Sequence, residues 1–321
     1  MDATFPVIVD GLYRQGSHNL AVSLVAENGQ PLPAWTPGAH IDLHLANGLV
    51  RPYSLTGCAA NQAQYLICVA RDPASRGGSR YIHDQLRPGQ RLMISPPRNG
   101  FPLACAPRVI LLAAGIGITP LYSMAEHLEA SGVPFSLHYY VRQPGNAAFC
   151  TALSREFRHG DCAIYYSTEG NSPRNSPPPV LDQYQPGTLL YLCGPQGFMA
   201  GMAHYAREKG WPEADIRTEA FSPPVAVASG TGRCFVVTCA STGQQWPVAE
   251  DQTIARVLLD NGIPVPLSCE MGMCGACLTP VLSGEVDHRD TVQSEAEKTA
   301  PRQHIALCCS RSYSGELVLD L

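Results

Sequence analysis

The chain has 321 residues, 45% of them hydrophobic, and 27 acidic against 22 basic side chains give a net charge of -5. This acidic balance argues against nucleic acid as the main ligand, because nucleic-acid sites need a basic surface. The hydrophobic content excludes wholesale disorder, and no run approaches the roughly 20 apolar residues that cross a bilayer. The first residues have neither a basic start nor an apolar run, so we expect a cytoplasmic protein without a secretory signal or membrane contact.

The first hundred residues contain short runs of alternating apolar and polar positions that end at turn signals. Asn-Gly and Pro-Gly pairs separate these runs, as is typical of β-hairpins. Strands are predicted at 41–45, 65–69 and 91–94. Short strands at this spacing, with one short helix, predict a small β-barrel domain over residues 1–104.

From about residue 107 the pattern changes to apolar strands that alternate with helices. Val109–Ala113 is a continuous apolar run, as expected for a strand that is covered on both faces. Pro120 stands where a helix would begin, because proline is favoured at the first helical position. The further elements predicted are a helix to about 130, a strand at 135–141, a helix at 147–157, strands at 163–166 and 189–192, and a helix near 196–209. This alternation predicts a parallel sheet with crossover helices in a second domain, 105–225.

A stretch rich in proline, glycine and serine at 222–232 is typical of a linker. It leads into a third predicted domain, 226–321. The elements predicted there are a hairpin at 234–238 and 245–248, a helix near 252–260, and strands at 305–307 and 316–319.

Five of the 13 cysteines lie in this third domain after residue 268. Cys269-x4-Cys274-x2-Cys277 has the spacing of plant-type 2Fe-2S ferredoxins, and Gly272 and Gly275 allow the backbone to approach sulfur closely. The alternatives are a zinc site and unrelated buried thiols, but zinc usually shows paired C-x2-C knuckles. The fourth ligand should come from a distant strand, where Cys308 and Cys309 compete for the role.

The same region resembles the phthalate dioxygenase reductase family, which includes the vanillate demethylase reductase components. The segments that carry the resemblance are Ser268-Cys269-Glu270-x-Gly272-x-Cys274-Gly275-x-Cys277, Gly284-Glu285-x-Asp287-His288-Arg289-Asp290, Cys308-x-Ser310-Arg311 and the ending Leu317–Leu321. The resemblance covers essentially the whole chain. It implies a flavin-binding β-barrel, a ferredoxin-reductase-like NAD domain with a parallel sheet, and a C-terminal β-grasp 2Fe-2S ferredoxin domain. It also implies that Cys308 is the fourth ligand, with Cys309 a departure from family members that have another residue there.

Two segments predict a flavin site. Arg51-Pro52-Tyr53-Ser54 offers a cation, an aromatic ring and a hydroxyl at a strand end, although a solvated arginine beside a core tyrosine has the same pattern. Gly77-Gly78-Ser79 precedes a helix, whose first backbone N–H groups form an anion site; Ser79 either binds phosphate or caps that helix. In the resembled family the first segment lies along the flavin and the second binds its phosphate. FMN rather than FAD is implied by the resemblance alone.

A nicotinamide site is predicted at Gly115-x-Gly117-x-Thr119-Pro120, directly after a buried strand. The motif departs from the Rossmann fingerprint at its third glycine, where Pro120 stands, and an ordinary strand-to-helix turn would show the same residues. Ferredoxin-reductase-like proteins combine this form with a Cys-Gly-Pro at a later strand end, which Cys193-Gly194-Pro195 supplies. Both loops fall at the carboxyl ends of strands, where open α/β sheets bind their ligands.

Three side chains near the reacting atoms are the candidate catalytic residues. Thr119 would orient the nicotinamide amide, Cys193 would pack near the reactive carbon, and Ser54 would lie beside the flavin ring. A nucleophilic Cys193 lacks a partner base, and hydride transfer needs none. Phe221 resembles the family's aromatic residue near the flavin, and core packing explains it equally well.

The two ends of this electron path handle electrons differently. NADH gives up two electrons as a hydride, whereas a 2Fe-2S cluster takes one at a time, so a flavin is expected to convert between them. The resemblance implies NADH as the donor and the Rieske centre of a partner oxygenase or demethylase as the acceptor, reached in a transient complex. The alternatives are another acceptor, such as a haem monooxygenase, and a non-catalytic redox sensor.

Overall fold

The computed structural model describes residues 4–73, 75, 77–221, 234–267, 272, 275–290, 292–293 and 295–321. The chain divides into two compact units, one ending at Phe221 and the other following it. The predicted linker at 222–232 and the predicted boundary at 225/226 lie outside the described residues. The boundary predicted at 104/105 falls inside the first unit and stays a prediction.

Within the described ranges, no helix is both long enough and apolar enough to cross a membrane. The cytoplasmic location stays a prediction.

The first unit begins with an antiparallel sheet of six strands in the order β4-β3-β6-β1-β2-β5. A bridge between Leu55 and Ile67 joins the two outer strands and closes the sheet into a barrel. Alternate side chains such as Val7, Ile41 and Ile94 point inward and are fully buried, as the alternating pattern predicts. The elements are β1 (Phe5–Gln15), β2 (Asn19–Ala26), β3 (His40–His44), β4 (Val50–Ser54), β5 (Tyr65–Ala70), α1 (Gly78–Gln85) and β6 (Arg91–Ile94).

The same unit continues with a parallel sheet of five strands in the order β11-β10-β7-β8-β9. Its central strand is the predicted apolar run, buried on both faces. Because β7 and β10 are parallel neighbours, the loops that follow them leave the sheet at the same edge. The elements are β7 (Arg108–Ala114), α2 (Ile118–Ser131), β8 (Phe135–Val141), α3 (Cys150–Leu153), β9 (Gly160–Tyr166), β10 (Thr188–Cys193), α4 (Gln196–Glu208) and β11 (Ile216–Glu219).

The helix predicted at 147–157 is wrong in extent, because only Cys150–Leu153 is helical. Phe149 has a left-handed backbone with φ 56°, and its N–H donates to the side chain of Gln15. This long-range bond holds a conformation that a helix cannot continue through. The start of α2 also differs from the prediction, since the helix begins at Ile118 and Pro120 is its third residue.

The second unit is a mixed sheet with the order β13-β12-β18-β14-β16 and a separate pair, β15 with β17. Strands β12 and β18 are parallel neighbours, and helix α5 packs into the core that they share. Thr253 caps α5 by accepting from the N–H of Arg256. The elements are β12 (Phe235–Cys239), β13 (Gln245–Val248), α5 (Ile254–Asp260), β14 (Leu278–Ser283), β15 (Val286–Asp287), α6 (Glu295–Lys298), β16 (His304–Ala306), β17 (Arg311–Ser312) and β18 (Glu316–Leu319).

Candidate functional site

The predicted flavin strand is β4, an outer strand of the barrel that pairs with β3. Its last residue, Ser54, is buried, while Arg51 and Tyr53 are half-buried. Burial raises the pKa of the Tyr53 hydroxyl, and the positive charge of Arg51 opposes part of that rise. The tyrosine therefore stays neutral, as a ring that packs beside a bound cofactor should.

The predicted phosphate segment forms the start of helix α1. Gly77 precedes the helix in a left-handed conformation, φ 110°, which glycine adopts at no steric cost. The first helical bond runs from the N–H of Tyr81 to the carbonyl of Gly77, so the preceding N–H groups have no partner within the helix. No acidic side chain lies in the first turn, which leaves this end open to an anion.

Ser79 does not cap this helix, because Gly77 occupies the capping position. Instead the hydroxyl oxygen of Ser79 accepts a hydrogen bond from the N–H of Asp72 at 3.2 Å. The capping alternative is therefore wrong, and the hydroxyl keeps its proton for an acceptor such as phosphate. Arg76, which stands beside the glycines in the sequence, lies outside the described residues.

The structure brings the two flavin segments together at Gly78. A Cβ added to Gly78 would lie 2.9 Å from Cγ and 3.3 Å from Nε of Arg51. Because Gly78 has no Cβ, the arginine can lie across the start of α1 without turning aside, and its positive charge adds to that of the helix end there. This glycine cradle fits the phosphate of a flavin mononucleotide.

Thr56, two residues beyond the end of β4, is a residue that sequence reasoning missed. Its hydroxyl is buried and has no hydrogen-bond partner among the described residues. It stands two positions after Ser54 and continues that residue's alternation, the one signal that could have found it. An unfilled buried hydroxyl here fits the polar edge of a flavin ring.

The predicted nicotinamide loop leaves β7 and enters α2. Gly115 has φ 57° with open space where a Cβ would point, so a ligand can approach its backbone closely. The hydroxyl of Thr119 donates to the carbonyl of Ile116 at 3.0 Å. Because the hydroxyl proton is already donated to this carbonyl, the hydroxyl oxygen of Thr119 can act only as an acceptor, for example from a carboxamide N–H. Pro120 lies in the first turn of α2, where its missing N–H costs no hydrogen bond.

The loop after β7 is packed directly against the loop after β10. A Cβ on Gly117 would lie 2.3 Å from the carbonyl oxygen of Cys193 and 2.7 Å from the backbone nitrogen of Gly194. A Cβ on Gly194 would in turn lie 2.9 Å from Cβ of Ala114. Backbone therefore touches backbone, and the two halves predicted for the nicotinamide site form one surface at the carboxyl edge of the sheet.

Cys193 is fully buried at the end of β10. Burial, together with the charge of Glu219, holds the pKa of this thiol well above its usual range. The sulfur therefore stays protonated, which suits a packing role beside the reactive carbon and not a nucleophile.

Glu219 is a second residue that sequence reasoning missed. It ends β11 in parallel register with Cys193. Its Oε2 atom is buried without a hydrogen-bond partner among the described residues, and burial raises the pKa of this carboxyl to about 8. A perturbed carboxyl at a ligand-binding edge is a signature of function. Its position at the last strand end, two residues before Phe221, was the available signal.

Phe221 is half-buried and packs against the core of the parallel sheet. This packing agrees with the alternative explanation of Phe221 as a core residue. A role beside the flavin stays a prediction.

Two of the four predicted cluster ligands, Cys269 and Cys274, lie outside the described residues, as do residues 268–271 and 273 of the motif. The other two, Cys277 and Cys308, are buried. The N–H of Leu307 donates to the carbonyl of Cys277 at 3.3 Å, which ties the segments that carry them together.

Gly272 contacts both candidates for the fourth ligand, Cys308 and Cys309, and its contacts with the two differ. Its N–H donates to the sulfur of Cys308 at 3.2 Å, the kind of bond that stabilises a thiolate ligand. A Cβ on Gly272 would lie 2.5 Å from the sulfur of Cys309, so Cys309 packs against the α-carbon and not the N–H. The two described cysteines, Cys277 and Cys308, fit as ligands of a 2Fe-2S cluster, and Cys269 and Cys274 stay predicted ligands.

The family of 2Fe-2S iron-sulfur cluster binding domains matches residues 237–312. The vanillate O-demethylase oxidoreductase of Pseudomonas sp. (strain HR199 / DSM 7063) is 41% identical over 98% of this chain and 99% of its own. The structure of phthalate dioxygenase reductase, a modular structure for electron transfer from pyridine nucleotides to 2Fe-2S, matches 99% of this chain and 98% of its own, with a TM-score of 0.74 and 34% identity.

A longer protein also shares the fold. An intact type IV self-sufficient cytochrome P450 monooxygenase matches 99% of this chain with a TM-score of 0.85 and 34% identity. This chain spans only 41% of that enzyme.

Relatives of this identity, aligned over nearly the whole of both chains, establish the family and its chemistry. All parts of the family's fold are present: the β-barrel, the NAD domain with its parallel sheet, and the ferredoxin domain. The chain is an oxidoreductase of the phthalate dioxygenase reductase family, and it carries a 2Fe-2S iron-sulfur cluster binding domain.

Proposed function

We propose that this chain is the reductase component of a two-component Rieske oxygenase or demethylase. It would take electrons from NADH and deliver them singly to the oxygenase in a transient complex. The observation that carries the proposal is the 41% identity, across nearly the whole of both chains, to an O-demethylase oxidoreductase.

On the flavin side, the described residues would bind and orient. Arg51 and the first N–H groups of α1 would hold the phosphate, with Ser79 as a further donor. Tyr53, Ser54 and Thr56 would line the ring. Bound FMN supplies the ability to accept a hydride and to release its electrons one at a time.

On the nicotinamide side, the chain would set the distance between the nicotinamide and the flavin and would exclude water. Gly115 would let the dihydronicotinamide approach the backbone, Gly117 would seat the loop against the backbone of Cys193, and Thr119 would accept from the amide of the nicotinamide. Cys193 would keep the reactive carbon dry. Glu219 would hold a proton below about pH 8 and a negative charge above it, facing a ring that becomes positive as hydride leaves.

The second unit would carry the electrons onward. Its cluster supplies a one-electron carrier. Cys269, Cys274, Cys277 and Cys308 would bind the iron, and the N–H of Gly272 would stabilise the Cys308 sulfur.

The proposal is tested by anaerobic NADH titration, followed by absorbance and electron paramagnetic resonance. Cys308→Ser should lose the cluster absorbance and its resonance signal while flavin reduction by NADH persists. Cys309→Ser, one position along, is the matched control and should keep both centres. A cluster that survives in Cys308→Ser but not in Cys309→Ser would reverse the ligand assignment. A flavin that NADH does not bleach would favour the sensor alternative.

A haem monooxygenase is the second candidate acceptor, because the self-sufficient P450 shares this fold over 99% of the chain. Reconstitution separates the two candidates. The reduced protein is mixed with a Rieske oxygenase or with a P450 haem domain, and reduction of each acceptor is timed. Rapid reduction of the haem protein alone would overturn the proposed partner.

A further inference from the structure

The turn between β1 and β2 is bonded to the loop that follows β8. Ser17 donates from its N–H and from its hydroxyl to the carbonyl of Gly145, at 2.6 and 2.7 Å. The side-chain amide of Asn19 donates to the carbonyl of Asn146 at 3.1 Å. Gly16 is so close that a Cβ there would lie 2.4 Å from the Gly145 carbonyl oxygen. The barrel therefore meets the parallel sheet through directional contacts.

Phe149, the residue of this loop with a strained backbone, is held in place by a hydrogen bond to a barrel residue. Phe149 is the one non-glycine residue with a left-handed backbone in the described part of the chain. Its N–H donates to Oε1 of Gln15 at 3.0 Å. Because a left-handed backbone is unfavourable for a residue with a Cβ, it persists only where its surroundings hold it. Gln15 supplies such a hold.

The ring of Phe149 carries this constraint to helix α2. It stacks on Tyr122 with the centroids 4.9 Å apart and the planes at 28°. Both rings are buried. Tyr122 follows Thr119 by three residues, so the two share a face of the helix. The orientation of the Phe149 turn therefore bears on the helix that begins with the nicotinamide loop.

We propose that Gln15 is a positioning residue for hydride transfer. Through Phe149 and Tyr122 it holds α2, and with it the nicotinamide loop, at a defined distance from the flavin strand β4. This inference rests on the proposed function, since it requires that NADH and flavin meet in this unit. Gln15 acts through other residues, and a misplacement of about 1 Å costs an enzyme roughly a hundredfold in rate.

The test replaces the acceptor while keeping the size of the side chain. Gln15→Met removes the oxygen that binds the Phe149 N–H, and Gln15→Glu retains one. Gln30→Met, at an exposed position of the same barrel, is the matched control. In stopped-flow experiments with the FMN-loaded protein, Gln15→Met should reduce flavin about tenfold more slowly, with KM for NADH nearly unchanged. Gln15→Glu should restore the rate, and Gln30→Met should equal the native protein.

Hydrogen exchange at the Phe149 amide gives a readout apart from activity. Exchange should be faster in Gln15→Met and slow again in Gln15→Glu. Unchanged exchange in Gln15→Met would show that Gln15 does not constrain the Phe149 turn. Faster exchange with an unchanged rate of flavin reduction would overturn the positioning role. Equal rate losses in Gln15→Met and Gln15→Glu would also overturn it. A native protein that NADH cannot reduce would overturn the proposed function first, and this inference with it.

Discussion

The flavin site and the nicotinamide site are each built from two segments that are far apart in sequence, and in each a glycine lies where they meet. At Gly78 the nearest neighbour is the Arg51 side chain, 2.9 Å from where a Cβ would be. At Gly117 it is the Cys193 backbone, at 2.3 Å. A side chain can rotate away, whereas a peptide held between buried parallel strands cannot. The flavin cradle can therefore adjust, and the nicotinamide loop cannot.

The largest effect is expected from Gly117→Ala. The new methyl group would overlap the Cys193 carbonyl, so we expect a loss of about 3 kcal/mol in the free energy of unfolding. Displacing the loop should also slow flavin reduction by NADH roughly a hundredfold. Denaturant unfolding and stopped-flow absorbance measure the two effects.

Gly201→Ala is the control for that substitution. Gly201 lies in the interior of α4 with nothing within 4 Å of a new Cβ, so alanine should stabilise the helix by about 0.5–1 kcal/mol. A Gly117→Ala protein as stable and fast as the native one would show that the nicotinamide loop also adjusts.

A smaller effect, which depends on pH, is expected from Glu219→Gln. In the native protein, flavin reduction should rise about tenfold as pH passes through about 8, because the carboxylate stabilises the positive nicotinamide that forms. Glutamine cannot ionise, so the variant should show a flat profile over that range. Single-turnover reduction between pH 6 and pH 9.5 measures it, and a variant that keeps the rise would assign the ionisation elsewhere.

The ionisation of Glu219 also makes the free energy of unfolding depend on pH. Burial raises the folded pKa of Glu219 to about 8, above the value of an unfolded chain, so the folded state holds an extra proton between the two values. The contribution is fully present below the unfolded pKa and is lost as pH rises through the folded one. Unfolding free energy should fall with pH in this window more steeply in the native protein than in Glu219→Gln.

The smallest effect is expected from Gly78→Ala. The Arg51 side chain can turn aside, so stability should change by less than about 1 kcal/mol, and alanine's higher helix propensity offsets part of the crowding. FMN affinity should fall severalfold, as the guanidinium moves from the helix end. Isothermal titration of the FMN-free protein with FMN measures this. A destabilisation as large as that of Gly117→Ala would break the contrast between the two sites.

Local patterns predicted the elements well where a single neighbourhood decides them. The apolar run of β7 and the alternation of β3 were read directly, because burial on two faces or one imposes that pattern. The region 147–157 failed because Phe149 is bound by Gln15, which lies 134 residues away. No local pattern carries that information.

Site residues divide in the same way. The glycine loops and the cysteine spacing were visible, because close backbone approach demands particular residue types at particular positions. The sequence placed Thr56 and Glu219 near strand ends but gave no reason to single them out, since what distinguishes them is a buried polar atom without a partner among the described residues, and burial is a property of the folded chain.

The amino-acid sequence by itself determined the barrel, the parallel sheet and the ferredoxin unit, because periodicity, glycine placement and cysteine spacing act over a few residues. Tertiary structure alone decided that Gly117 rests on the Cys193 peptide, that Gly272 offers its N–H to Cys308, and that Phe149 turns left-handed beneath Tyr122. Each of these joins segments distant along the chain, and their contacts exist only once the sheets have brought those segments together.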